Sequence, residues 1–218
     1  MTPTLPVITA LQHRDPSARL RAAMHLGANP DPSTLDAIVR RCAVEPDFFV
    51  RDMLTWAVTR HPASVTVPRL ITELDDDLPQ ARSQALHTLT KIPGSSATPG
   101  LWPRVLHLVD DPDDEVATTA WRAAVALVPE GHERALVDAL LRHLGRGDLE
   151  RQRRLTRALV ALAWVADDAV RGAVSSADED VARHAARTVR VLDDPDAALD
   201  DAVDEARRVA AMGPDAHR

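Results

Sequence analysis

The chain has 218 residues, 45% apolar and 27% charged, enough for the core of one long domain or two short ones. Only 3% are aromatic, with four Trp, two Phe and no Tyr. That excludes a β-sandwich or barrel built on aromatic and β-branched strands, and a base-stacking platform for single-stranded nucleic acid. The formal net charge of −7 is the wrong sign for a protein that holds DNA or RNA mainly through phosphates.

Lys91 is the only lysine, so the bases are almost all arginine. This bias, with abundant Ala, Asp and Pro, fits high-G+C codons and a bacterial source. Cys42 is the only cysteine, which rules out an internal disulfide and a thiolate metal cluster. It falls among Ile38, Val39 and Ala43 and reads as a core residue. The stretch Met1 to Pro6 has no basic segment followed by an apolar one, and no run approaches 18 apolar residues. The expectation is a cytoplasmic protein, neither secreted nor inserted in a membrane.

Along the chain one pattern recurs six times: an acidic turn, an aliphatic residue, usually an arginine, then small apolar residues at helical spacing. It begins at Asp15-Pro16 with Leu20-Arg21, then Glu45-Pro46 with Val50-Arg51, then Asp76-Asp77 with Ala81-Arg82. The fourth copy is Asp111-Pro112 with Val116-Ala117, and weaker copies centre on Gln152 and Val181. The anchors Leu20, Val50, Ala81, Val116, Gln152 and Val181 lie 30, 31, 35, 36 and 29 residues apart, the period of stacked helical hairpins. Each anchor opens a second helix; Val116, Ala120, Ala124 and Leu127 share one face of it.

First helices precede them at Leu35–Ala43, Val67–Leu74, Leu101–Val109 and Ala135–Leu144, with Pro68 and Pro103 near the starts of two, where proline costs little. Gly27, Pro62, Pro93-Gly94, Pro129 and Asp193-Asp194-Pro195 punctuate the units. No linker divides the chain. The expected fold is an all-α, right-handed α-α superhelix of about six helix pairs, one domain over 1–213. A capping helix spans about 196–212, and 214–218 form a short flexible tail.

These acid-Pro turns, aliphatic-Arg pairs and Ala/Leu ladders resemble the HEAT-repeat family, in the short-unit form related to bilin-lyase-like HEAT repeats. The whole chain is similar to stand-alone bacterial HEAT proteins. The resemblance implies a non-enzymatic scaffold or adaptor that binds a protein segment along the concave face formed by the second helices. The family's association with helix-turn-helix proteins suggests a transcriptional regulator as partner. It also implies a ladder between neighbouring units from Asp15, Arg21, Glu45, Arg51, Asp76 and Arg82, fading toward the C-terminus.

Two rows on the second helices follow from i, i+4 adjacency. They make Trp56, His87, Trp121, Arg122, Arg154 and Arg187 the candidate partner-binding residues, while Trp102 and Trp164 are expected between units. Arg146, Arg151, Arg153 and Arg157 form the best patch for an anion. That patch supports an alternative, nucleic-acid binding, against the acidic balance. A further alternative is a HEAT-like lyase or hydroxylase. His132-Glu133 is a lone His-Glu pair, too few ligands for a di-iron site, and no nucleophile, phosphate-loop or dinucleotide motif occurs. No cofactor, metal or catalytic residue is expected.

Overall fold

The computed structural model describes residues 4–194 and 196. These residues form twelve α-helices and no strand, arranged as six consecutive pairs. The pairs are α1 (Thr4–Ala10) with α2 (Pro16–Ala28), α3 (Leu35–Cys42) with α4 (Phe48–Thr59), and α5 (Ala63–Glu73) with α6 (Pro79–Leu89). Then follow α7 (Leu101–Leu108) with α8 (Asp114–Leu127), α9 (Glu133–Leu141) with α10 (Leu149–Ala161), and α11 (Ala163–Ala173) with α12 (Glu179–Asp193). The fold class is that of an α-solenoid. The expected capping helix and tail lie outside the described residues, apart from Asp196.

The second helix of each pair starts at a cap that the sequence supplies. The side chains of Asp15, Asp47, Asp113, Asp148 and Asp178 accept first-turn N–H groups of α2, α4, α8, α10 and α12. Such a bond satisfies donors that have no intrahelical partner, and is typically worth about 1 kcal/mol. At α6 the cap is Leu78, followed by Pro79 at the first helical position. These six caps lie 32, 31, 35, 35 and 30 residues apart.

The caps correct the register of two copies. Asp15-Pro16 looks like Glu45-Pro46, but Asp15 is itself the cap, two places later than Glu45. Its anchor is therefore Ala18, not Leu20. In the fifth copy the anchor is Arg151 rather than Gln152, because Arg151 N–H donates to the capping Asp148.

The chain divides into two compact units, Met1–His132 and Glu133–Arg218. In the first, α2 lies along α4 and α6 along α8. Ala23, Ala57, Ala85 and Ala120 are buried there beside Leu54, Leu86 and Val116, so small side chains let helices approach closely. Gly27 lies in the last turn of α2, one residue before its end. It is buried inside the helix, where an added Cβ would stand 2.2 Å from Trp56 Cζ3 and 3.0 Å from Ala57 Cα. Pro68 sits inside α5 rather than near its start, because the helix begins four residues earlier than the apolar pattern shows. In the second unit, Leu136, Leu140, Leu155, Leu159, Ala166, Val170 and Ala185 form the core.

Two of the four tryptophans differ from expectation. Trp121 is only 1% exposed, and its indole N–H donates to the Val109 carbonyl at 3.1 Å. It stands eight residues after its cap, one step of about 100° away from the exposed side of α8. Trp164 is 73% exposed rather than packed between repeats. Trp102 is buried, its ring edge-on to His132 with centroids 6.0 Å apart.

Candidate functional site

Repeats in the first unit are tied together by arginine. Arg19 places Nε and Nη2 on the two carboxylate oxygens of Glu45, both at 2.7 Å. Its Nη1 reaches back to the carbonyls of His13 and Arg14. Arg82 does the same one pair further on, with both Asp111 oxygens at 2.9 Å and the carbonyls of Asp76 and Asp77. Each arginine thus closes its own turn and grips the carboxylate of the next repeat. Glu45 is fully buried and also takes Arg41 at 2.7 Å and the Asp47 N–H. Burial alone would push its carboxyl up, but the bonds from Arg19, Asp47 and Arg41 outweigh this and hold it at about 2.

The register shift changes who takes part. Arg19, not Arg21, makes the first rung; Arg21 is exposed, and Asp15 serves as a helix cap. Arg51 bonds the carbonyls of Glu45 and Pro46 but makes no ion pair with Asp76, which accepts the Leu78 N–H instead. Its guanidinium lies 6.0 Å from the Phe48 ring centroid. A cavity at this junction, lined by Val39, Cys42, Val58, Leu70 and Ala85 among others, admits about 10 Å³, the threshold for one water. Cys42 is buried and its thiol is pushed up to about 12 by desolvation, so it stays protonated at neutral pH.

Nine residues past each cap, one row becomes legible: Met24, Trp56, His87 and Arg122 in the first unit. Arg157 and Arg187 hold the same helix position in the second. His87 Nδ1 and Arg122 Nη2 are 2.9 Å apart across one repeat. Desolvation first, then the charges of Lys91 and Arg122, lower the His87 pKa, with Asp52 opposing. The imidazole is therefore neutral at pH 7 and can accept from the guanidinium. Trp56 rests its ring on the gap left by Gly27 and remains 40% exposed.

Arg154 is not on this row. It lies one turn earlier and reaches Glu150 at 3.5 Å. Met24 is on the row as well: it stands six residues after Ala18, whereas the same count from Leu20 ends on Leu26, which is buried. The two phenylalanines at the start of α4 are missed by the sequence rows. They are 66% and 73% exposed, with rings edge-to-face at 5.7 Å.

The arginines of 146–157 do not present one free surface. Arg151 occupies an anchor position with its stem over Gly147, where a Cβ would stand 2.3 Å from Arg151 Cδ. Desolvation lowers its pKa. Arg157 shares Glu150 with Arg154, at 4.0 Å. Arg146 is exposed and Arg153 half-buried. Arg187 hydrogen-bonds Gln152 Oε1. Among the described residues no group of three His, Cys, Asp or Glu could hold a metal ion, and no helix is long and apolar enough to cross a membrane.

The family model for HEAT repeats matches residues 4–90, which contain α1 to α6 and the Arg19–Glu45 rung. That segment is similar to HEAT repeats. The chain's second unit repeats the same helix pairs beyond the matched segment. Among solved structures, Kap121p bound to Ste12p is 16% identical, with a TM-score of 0.64 over 87% of this chain and 22% of that one. An engineered protein is 18% identical over 88% and 99% of the two chains, with a TM-score of 0.48. A designed armadillo repeat protein in complex with the peptide (KR)4 is 15% identical over 88% and 100%, with a TM-score of 0.49. No curated protein matches the chain. The HEAT/armadillo fold is commonly a protein-interaction scaffold.

Proposed function

We propose that the chain is a HEAT-repeat protein throughout, a non-enzymatic, cytoplasmic scaffold that holds a segment of a protein partner against its second helices, on the concave face of a solenoid spanning 1–213. The observation that supports this best is the row Met24, Trp56, His87 and Arg122. It combines a thioether, a half-open indole and a guanidinium whose bonded partner is neutral His87 rather than a carboxylate. Tryptophan and arginine are favoured anchors at interfaces, and a carboxylate of the partner would complete Arg122. A transcriptional regulator is the partner we favour.

The test is cross-linking and affinity purification from the native host, comparing the natural chain with Trp56→Ala and Arg122→Glu. One reproducible partner, lost in both variants, is the expected result. A monodisperse protein that recovers no reproducible partner overturns the proposal.

A further inference from the structure

The second-helix row crosses α4 at a single residue, Trp56, yet α4 carries a longer exposed stripe. Phe49, Asp52 and Trp56 are spaced three and four apart, so they lie on one side of the helix. Phe49 and Trp56 are separated by two turns, about 10 Å. Phe48 packs edge-on beside Phe49 and widens the apolar end. Both of the chain's phenylalanines are thus held largely in water at one end of this stripe, and a 40%-exposed indole stands at the other.

Between the rings lies Asp52. It is exposed and makes no hydrogen bond or ion pair among the described residues; its electrostatic neighbour is His87 of the next repeat, which is neutral at pH 7. The next acid on the helix, Asp47, is engaged in capping. The bases around the stripe are directed elsewhere: Arg51 Nη1 onto the carbonyls of Glu45 and Pro46, and Arg122 onto His87. A cation placed at Asp52 gains its carboxylate and the electron-rich faces of the rings on either side. An acid placed there meets Asp52 and Asp47 together on a chain of net charge −7. The packing of Arg51 against Phe48 shows a guanidinium already accommodated beside this aromatic pair.

We propose that the stripe Phe48, Phe49, Asp52 and Trp56 docks an amphipathic helix of a protein partner that carries two apolar residues seven apart and a Lys or Arg between them. This rests on the reading that the second-helix face receives a partner, and it names the chemistry that α4 selects. The apolar pair sits on Phe49 and Trp56, and the base pairs with Asp52.

The test uses the full chain and two fluorescein-labelled synthetic amphipathic helices, followed by fluorescence anisotropy. Both carry leucines seven apart; one has Lys between them and the other Glu. The Lys peptide should bind about tenfold or more tightly than the Glu peptide, and Phe49→Ser and Trp56→Ala should each weaken it about tenfold, as truncated anchors do. Asp52→Lys should invert the preference. All three positions are exposed, and circular dichroism checks that each variant keeps its helix content. No saturable binding, equal affinity for both peptides, or affinity unchanged in Phe49→Ser overturns the proposal; the last would mean general attraction to an acidic chain. The two readings fail separately. Loss of the host partner leaves the peptide result standing, whereas an inert stripe leaves capture of a host partner indifferent to Phe49→Ser.

Discussion

The two units stitch their repeats with different chemistry. In the first, charge meets charge: Arg19 on buried Glu45, and Arg82 on Asp111. In the second, the turn position of those arginines is taken by Gln152, whose amide donates to the carbonyls of Gly145 and Gly147. The link to the next repeat has no ion pair in this network: Arg187 donates to the Gln152 amide oxygen, and a histidine does the rest. The Gly145 N–H donates to His184 Nδ1 at 3.1 Å, which places the imidazole proton on Nε2. That nitrogen faces the Gln152 carbonyl at 3.0 Å and Thr156 Oγ1 at 3.1 Å, and Thr156 meets Thr188 at 2.9 Å. Burial first, then the charge of Arg187, lowers the His184 pKa to about 4, against the bond to Gln152. One architectural task is thus done by an ion pair insensitive to pH near neutrality and by a network that a single proton disrupts.

The largest expected effect breaks the charged side. Glu45→Ala leaves Arg19 and Arg41 without their buried carboxylate and should cost about 3–5 kcal/mol in denaturant unfolding, as uncompensated buried charges do. A loss below about 1 kcal/mol would mean that water reaches the site and the rung is an ordinary surface pair.

Next comes the neutral side. Gly145 has φ +76, and a Cβ there would stand 2.7 Å from Val181 N. Gly145→Ala should therefore cost on the order of 1–3 kcal/mol. Hydrogen exchange should place the loss in α10 and α12.

Acid should separate the two units. For His184 the folded value is depressed from 6.5 to about 4, so its contribution is intact above 6.5 and disappears as pH falls from 6.5 to 4. For Glu45 the value is depressed from 4.5 to about 2, so its contribution is lost only between 4.5 and 2. Hydrogen exchange at pH 5 against pH 7 should show loss of protection in α10 and α12 before α2 and α4. His184→Gln should flatten that response. Simultaneous loss in both units would contradict the assignment.

The smallest effect sharpens the contrast within the first unit. Arg82→Met gives up two bonds to Asp111 that Arg51→Met does not. It should cost about 1–3 kcal/mol more by thermal unfolding, the worth of hydrogen bonds to charged groups. Equal costs would mean that Arg51 and Asp76 pair in solution.

Much of this was legible in the chain itself. The acid-Pro turns and Ala/Leu ladders implied helix pairs, and the ladder residues are indeed buried faces; of the turn acids Asp15 is a cap, whereas Glu45 and Asp111 receive arginines and Asp76 accepts the Leu78 N–H. What failed was register, and for a specific reason. Asp15-Pro16 and Glu45-Pro46 are the same dipeptide in kind, yet one begins at a cap and the other two residues before one. A two-residue error turns a helix by about 200°, which exchanged Met24 for Leu26 and Arg19 for Arg21. Trp121 was misplaced by a single step of that rotation. Counting from the caps, aspartate in five helices and Leu78 before Pro79 in α6, recovers the row.

Composition and period were sufficient for the all-α fold and the close helix packing, because scarce aromatics and recurrent alanines leave few other ways to bury a core. Which side chains meet was decided in three dimensions. Gly27 serves a close approach that no local pattern announces, His184 is neutral because burial and the charge of Arg187 lower its pKa, and Phe48 and Phe49 stay in water because no described helix covers the start of α4. A helix's sequence sets its own exposed and buried sides only up to rotation; the packing partner fixes the angle.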